Sequence, residues 1–466
     1  MWSDRLSPER RRSLVDTLRQ VLPPPRPSAR SQSFELRGNP EPCAVAQALW
    51  TEPDFVWLDR PGQAQFAKQA IARLSLTNGT ALVSGPHGEL TIPANGFDLI
   101  GAALEAWGSA GDAQLYGYLG YELGSQLEDV PQPPSQAGDP SDLHFALYDW
   151  RLEQTAAGWV VRGTDAWREP AIEDLSFAAP AAPELRFGRL PPMTSTPSPG
   201  GFCEAVSRTV ARITNGELFQ VNLCRRLETA FPPEAILPFY LRLRAINPAD
   251  YAALIRTRGG AVLSVSPELY LSVADGVVRS RPIKGTRPRG TDREQDRLLA
   301  AGLTGSEKDR AELAMIVDVV RNDLGRVCRA GSVAVTKHAE LMSLPTVHHT
   351  FSEVTGRLRT DCGVEDLLRA SFPPASITGA PKIHAMEIAA LEEGYRRGPC
   401  MGSIGWISLD GGLELSVAIR TAVAARGRIW YVAGCGITVE SVPAEELAES
   451  EHKAAAFYRV LEEFSA

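Results

Sequence analysis

The stretch Arg281-Pro-Ile-Lys-Gly-Thr-Arg-Pro-Arg289 sets one lysine among three arginines, in a chain that hardly uses lysine. Six of its 48 basic residues are Lys, at positions 68, 284, 308, 337, 382 and 453. Arginine keeps its proton in any protein, whereas a lysine in a desolvated or positively charged setting can lose it and attack carbon. Lys284 is therefore expected to do something a guanidinium cannot, with the flanking arginines favouring the free amine. Alone, the loop equally fits a lysine that grips a phosphate or carboxylate.

At 466 residues and 44% hydrophobic content the chain is globular, long enough for one large core or two to three ordinary domains. A net charge of −8 disfavours nucleic acid or an anionic membrane as partner. The N-terminal residues are too polar for a signal peptide, and no uncharged apolar stretch reaches the length of a membrane span. The cysteines at 43, 203, 224, 328, 362, 400 and 435 lack CxxC spacing and read as free thiols of a reducing cytoplasm.

A tract dense in Ala, Pro, Ser and Gly at 178–201 marks the expected boundary between an N-terminal lobe (1–180), a linker (181–200) and a second domain (201–466). A proline-rich connector is expected at 21–30 and a surface loop at 131–140. Helices are expected near 97–108, 203–214, 306–326, 364–370, 381–391 and 443–464. Strand-like runs fall at 55–58, 81–83, 159–161, 252–256, 261–264 and 429–433. Strands clustered with helices, without regular βαβ alternation, indicate an α+β fold.

Two of these helices carry carboxylates on the wrong side. Glu312 follows an i, i+4, i+7, i+11 stripe with Ile316, Val319 and Asp323, inside the apolar arc. Glu446, Glu449 and Lys453 likewise line up with Phe457, Val460 and Phe464. An inward carboxylate is costly unless it is paired or bound to a metal. Facing carboxylates from two helices suit a hard divalent cation such as Mg²⁺, and buried ion pairs between the helices fit the same pattern. Thr378-Gly-Ala-Pro-Lys382 and Gly434-Cys-Gly436 offer free amides for anionic oxygens, or are simple turns. Arg420, in an otherwise apolar strand, suits a bidentate carboxylate contact. His349 is either a proton-transfer group or a satisfied core histidine.

Taken in chain order, these pieces resemble the chorismate-utilising enzymes of the anthranilate synthase component I type. The resemblance runs through Gly216-Glu-Leu-Phe-Gln-Val-Asn-Leu223, Ser266-Pro-Glu268, Pro282-Ile-Lys-Gly-Thr286, Lys308-Asp-Arg-Ala-Glu312 and Arg321-Asn-Asp-Leu-Gly325. It continues through His349, Ser376-Ile-Thr-Gly-Ala-Pro-Lys382, Gly402-Ser-Ile-Gly405, Ala418-Ile-Arg-Thr421 and Pro443 to Lys453. The first half matches more loosely, through Gly117-Tyr-Leu-Gly-Tyr121. The resemblance implies a chorismate-binding fold of two lobes, built on antiparallel sheets covered by helices.

It also implies roles. Mg²⁺ would be held by Glu312 and Glu449, with Glu446 beside them. Lys284 would attack C2 of chorismate, and Glu268 would act as acid on the departing C4 hydroxyl or as base on Lys284. His349 would lie near C4. Ser376, Lys453 and Lys382 would meet substrate carboxylates, as would Arg420 with the amides of Gly434 and Gly436. Thr286 and Gln220 would complete the substrate site. Family members that add water have a lysine base where this chain has Gln220, and those that aminate at C2 have Ala in place of Lys284. The pair found here is associated with amination at C4. The usual family Tyr is replaced by Cys400, which removes a hydroxyl expected to face substrate. The chain shows no Gly-x-Cys-x-Gly nucleophile elbow, so ammonia is expected from a separate glutamine amidotransferase subunit, in a heterodimer.

Overall fold

Side chains along the strand Arg428–Ile437 alternate between two apolar cores, as the period of two requires. Trp430 and Val432 enter one core, whereas Ile429, Tyr431 and Ala433 enter another. The computed structural model describes residues 6–23, 32–35, 40–108, 113–136, 138–163, 191–344 and 347–465. Within these, two 12-stranded sheets carry the chain, and the pairings that position the site are antiparallel. The largest core joins the sheets, with Val262, Val423 and Val432 of one meeting Tyr116, Ile404 and Leu415 of the other. On the outer face of the first sheet, Trp57, Phe66 and Trp159 pack with Tyr240, Phe457 and Phe464.

Both sheets cross the boundary expected in the sequence. Val56–Asp59 pairs with Tyr251–Thr257, and Gln114–Leu119 pairs with Ser403–Ser408. The two halves of the chain thus share sheets. Of the expected linker, 181–190 lies outside the described residues, while Thr194–Thr196 forms a strand and Pro199–Thr214 a helix. Most of the 21–30 connector also lies outside them.

The expected helices form with small shifts of their ends. Four strands and three helices build the site: β1 (Gln220–Ala230), β2 (Ile283–Pro288), β3 (Val347–Arg357), β4 (Arg428–Ile437), α1 (Glu307–Gly325), α2 (Lys382–Glu393) and α3 (Pro443–Ser465). The start of α1 is set by Ser306, whose hydroxyl accepts the Asp309 amide at 3.2 Å. Glu307 and Asp309 sit at the positive end of the helix dipole.

Candidate active site

Lys284 lies on β2 opposite Thr350 of β3, whose hydroxyl donates to the Lys284 carbonyl. The pairing register slips between Lys284 and Thr286, at Gly285. Gly285 has φ +75°, and a Cβ there would stand 2.8 Å from Leu303 and 3.1 Å from Asp309. Only glycine fits, and the bulge re-aims its neighbours. The Lys284 amine meets Glu312 of α1 at 3.1 Å, with both side chains more than four-fifths buried.

The flanking arginines do not face this amine, contrary to the expectation from sequence. Arg281 stacks on Phe351 with 4.6 Å to the ring centroid, Arg287 pairs with Asp309 at 3.2 Å, and Arg289 pairs with Asp296 at 2.8 Å. The nearest charge to the amine is a carboxylate, because each guanidinium finds its own partner along the twisted strand.

Glu268 lies in the turn beside β2. Ser266 fixes that turn by donating to the Val417 carbonyl (2.6 Å) and accepting the Glu268 amide (3.2 Å). Burial pushes the Glu268 carboxyl up to about 7, against the opposing pull of the Ser376 hydroxyl, the Ile283 amide and the Lys284 charge. Ser376 is thus placed on Glu268. His349 Nδ1 is 2.8 Å from the Thr286 hydroxyl, while its Nε2 is buried with no partner among the described residues. Burial, reinforced by the charge of Arg420, holds the imidazole at about 4, so it is neutral near pH 7. Arg420 has φ +49°, and among the described residues its guanidinium bonds the Asn247 side-chain oxygen, at 3.4 Å. Burial lowers its pKa. A half-buried guanidinium without a carboxylate partner among the described residues is suited to receive an anion.

Gly436 of β4 shows how closely the remaining groups approach. A Cβ on it would lie 2.2 Å from Gln220 Nε2 and 2.7 Å from Lys284 Nζ. Gly436→Ala is expected to fold but to lower kcat roughly 100-fold, the scale of a 1 Å displacement at a reacting centre. Steady-state kinetics beside a thermal melt would check this. At Gly434 the obstruction is the Leu223 carbonyl of the paired strand, which would stand 2.1 Å from an added Cβ, so this glycine serves close strand approach.

On α3, Lys453 donates to the Gly434 carbonyl (2.9 Å) and pairs with Glu449 (2.7 Å). Burial opposes ionisation of Glu449, but Lys453, Lys284 and Lys308 outweigh it, and its pKa falls. Burial raises the pKa of Glu446, whose carboxylate accepts the Ser441 hydroxyl at 2.6 Å. Glu446, Glu449 and the Cys435 thiol offer ligand atoms within 4.8 Å of one another. Glu312 faces them from α1 through Lys284, whose charge acts on Glu449 as well. The group within that reach is Cys435, Glu446 and Glu449, and Glu312 lies outside it, on Lys284; carboxylate oxygens are the donors a hard cation such as Mg²⁺ takes.

Lys382 is not brought to this cluster. Its ammonium binds Asp323 (2.8 Å) and the Ser371 carbonyl (2.7 Å), neutralising the second inward carboxylate of α1. Cys400 is buried in the main core and donates to the Thr421 carbonyl at 3.3 Å. Three contributors were not anticipated: Lys308, whose charge acts on Glu446 and Glu449, Asn247 on Arg420, and Thr350 beneath Lys284. The scarcity of lysine was a signal for the first of these.

An α+β frame that gathers a half-buried guanidinium, a lysine amine and several carboxylates is the kind of site that suits an enzyme with a small anionic substrate. Residues 53–459 match the chorismate binding enzyme family, and the chain belongs to that family. It is 38% identical over 338 residues to aminodeoxychorismate synthase component 1 of Klebsiella aerogenes, covering 72% of this chain and 74% of that one. It is 36% identical over 373 residues to anthranilate synthase component 1 of Streptomyces coelicolor, covering 73% and 71%. Anthranilate synthase component I from Streptococcus pneumoniae superposes with a TM-score of 0.73 at 28% identity, covering 84% and 91%. The chain is a chorismate-utilising enzyme.

Proposed function

We propose that this enzyme converts chorismate and ammonia to 4-amino-4-deoxychorismate, on the route to para-aminobenzoate and folate, as the synthase component of a two-subunit system. A separate glutamine amidotransferase subunit would supply the ammonia. One observation carries this reading: Lys284 and Gln220 bound the same space beside Gly436. An amine nucleophile is thus present where a water-activating lysine is not. Relatives named for anthranilate formation match about equally well, so the alternative is direct amination at C2.

In the proposed sequence, the Lys284 ammonium releases a proton, which later restores Glu268 through solvent, and the neutral amine attacks C2. The ring π pairs each move over one bond, and the C4 hydroxyl leaves as water with a proton from Glu268. Ammonia then bonds to C4, the π pairs return, and the C2–N bond breaks towards Lys284. The proton shed by the new amine passes to the departing lysine. Arg420 and the amide of Gly436 would hold the enolpyruvyl carboxylate, with Ser376 orienting Glu268. Neutral His349 would accept or donate a hydrogen bond near C4 through its unpartnered Nε2. Mg²⁺ held by Glu312 and Glu449, with Glu446 beside them, would bind the ring carboxylate and supply Lewis acidity.

Purified chain, chorismate, Mg²⁺ and ammonium salt should give product aminated at C4, and chorismate alone should leave a mass adduct on Lys284. Amination at C2 with no adduct would overturn the reading. The Glu268 carboxyl at about 7 sets a pH dependence. Protonated below that pH, it can act as acid, so kcat should fall as pH rises through about 7. In Glu268→Gln that limb should vanish from a much reduced profile.

A further inference from the structure

Gly394, with φ +70°, ends α2 and turns the chain back, so that Arg397 lies against Glu393, the last residue of that helix. Arg397 is 1% exposed and Glu393 5%. A charge so deeply buried is tolerated only with its hydrogen bonds made. Nε and Nη2 of Arg397 donate to the two Glu393 oxygens at 2.8 and 2.5 Å, and the guanidinium lies 4.2 Å from the centre of the Tyr121 ring. Further bonds leave the pair. Nη1 donates to the Ile377 carbonyl at 3.1 Å, and Nη2 to the Asn222 carbonyl at 2.7 Å. Glu393 in turn accepts the Cys224 amide at 2.9 Å. One ion pair thus ties β1 to the turn at 375–380, where the Asn222 amide also donates to the Thr378 carbonyl at 2.7 Å. Glu122, from the first half of the chain, anchors the pair by accepting the amides of Arg397 and Gly398 at 2.6 and 3.0 Å.

Both tied segments carry site residues. Ser376, next to Ile377, bonds the Glu268 carboxyl, and Gln220, two residues before Asn222, bounds the space beside Gly436 with Lys284. We propose that Arg397, oriented by Glu393, is a positioning residue for the reaction. It sets Ser376 on Glu268 and Gln220 beside Lys284 by holding their two segments at one separation. The proposal rests on the acid role given to Glu268 above. A planar guanidinium reaches a carboxylate and two carbonyls at once in fixed directions, which an ammonium cannot match. Glu268 is faced by Ser376 from the turn and by the Ile283 amide and Lys284 from β2, and only the Ser376 contact depends on the clamp.

Arg397→Lys keeps a charge opposite Glu393 but loses the fork, so it should fold and leave the two segments loosely joined. With chorismate, Mg²⁺ and ammonium salt, its kcat should fall about 30–100-fold, while the KM for chorismate stays within about threefold. Ser376 opposes the burial that raises the Glu268 pKa. Loosening that contact should move the falling limb of the kcat–pH profile up by about half a unit or more. In a Ser376→Ala background, where the contact is already gone, adding Arg397→Lys should not move the limb further. Glu393→Gln, which removes the charge that orients the fork, should act in the same direction and serves if the Lys variant is insoluble. A variant that melts earlier yet keeps wild-type kcat, or whose limb stays in place, overturns the proposal. So does a further shift of the limb in the Ser376→Ala background. If the wild type forms no adduct and aminates C2, the C4 reading falls, yet the limb and the double variant still judge the clamp.

Discussion

Lys284→Ala should lose C4 amination by about 1,000-fold or more, roughly 4 kcal/mol of transition-state stabilisation. Neither Lys453 nor Lys382 is free to replace it: Lys453 is held by Glu449 and Gly434, and Lys382 by Asp323 and Ser371. Any residual amination should appear at C2, because ammonia can reach the ring without a lysine holding that carbon. The substitution also leaves Glu312 without its partner, and stranding one member of a buried pair costs about 3–5 kcal/mol. Assays at saturating Mg²⁺ limit that penalty. Lys284→Arg separates the two effects, since a guanidinium preserves the ion pair with Glu312 and cannot attack carbon. Both variants should be inactive at C4, with the Arg variant closer to wild type in thermal stability. Wild-type product at wild-type rate in either would remove the covalent role.

The residues that were legible in sequence were those whose chemistry contradicts their local pattern. Lys284 stood out against arginine usage, and Glu312 and Asp323 against an apolar stripe. What the stripe could not supply was the partner of each carboxylate. Glu312 meets Lys284 and Asp323 meets Lys382, a choice set by how α1 crosses β2 and the start of α2. Lys382 therefore reads from sequence as a substrate ligand and is in fact a counter-ion. The same limit governs the sheets. The strands Val56–Asp59 and Tyr251–Thr257 were visible as β-like runs, but their pairing spans nearly 200 residues, and no local pattern encodes it. The arginines beside Lys284 misled for a related reason. Proximity in sequence put positive charge next to the amine, whereas Phe351, Asp309 and Asp296 draw that charge away.

Glu312→Ala and Glu449→Ala should each lower kcat/KM for chorismate about 1,000-fold, equivalent to roughly 4 kcal/mol. Their effects on stability should differ, and this difference distinguishes metal ligands from ordinary ion-pair partners. Glu312 is well buried against Lys284, so removing it strands an ammonium and should destabilise the fold. Glu449 keeps about half its side chain exposed beside Lys453, where solvent screens the pair, so its removal should barely move the melting temperature. If the two carboxylates share a cation, Mg²⁺ should raise the melting temperature of the wild type by mass action and leave both variants unmoved. Calorimetry without substrate should show Mg²⁺ binding lost in each. Wild-type turnover in excess chelator, or an unaltered Mg²⁺ response in the Glu449 variant, would reduce these carboxylates to counter-ions for Lys284 and Lys453.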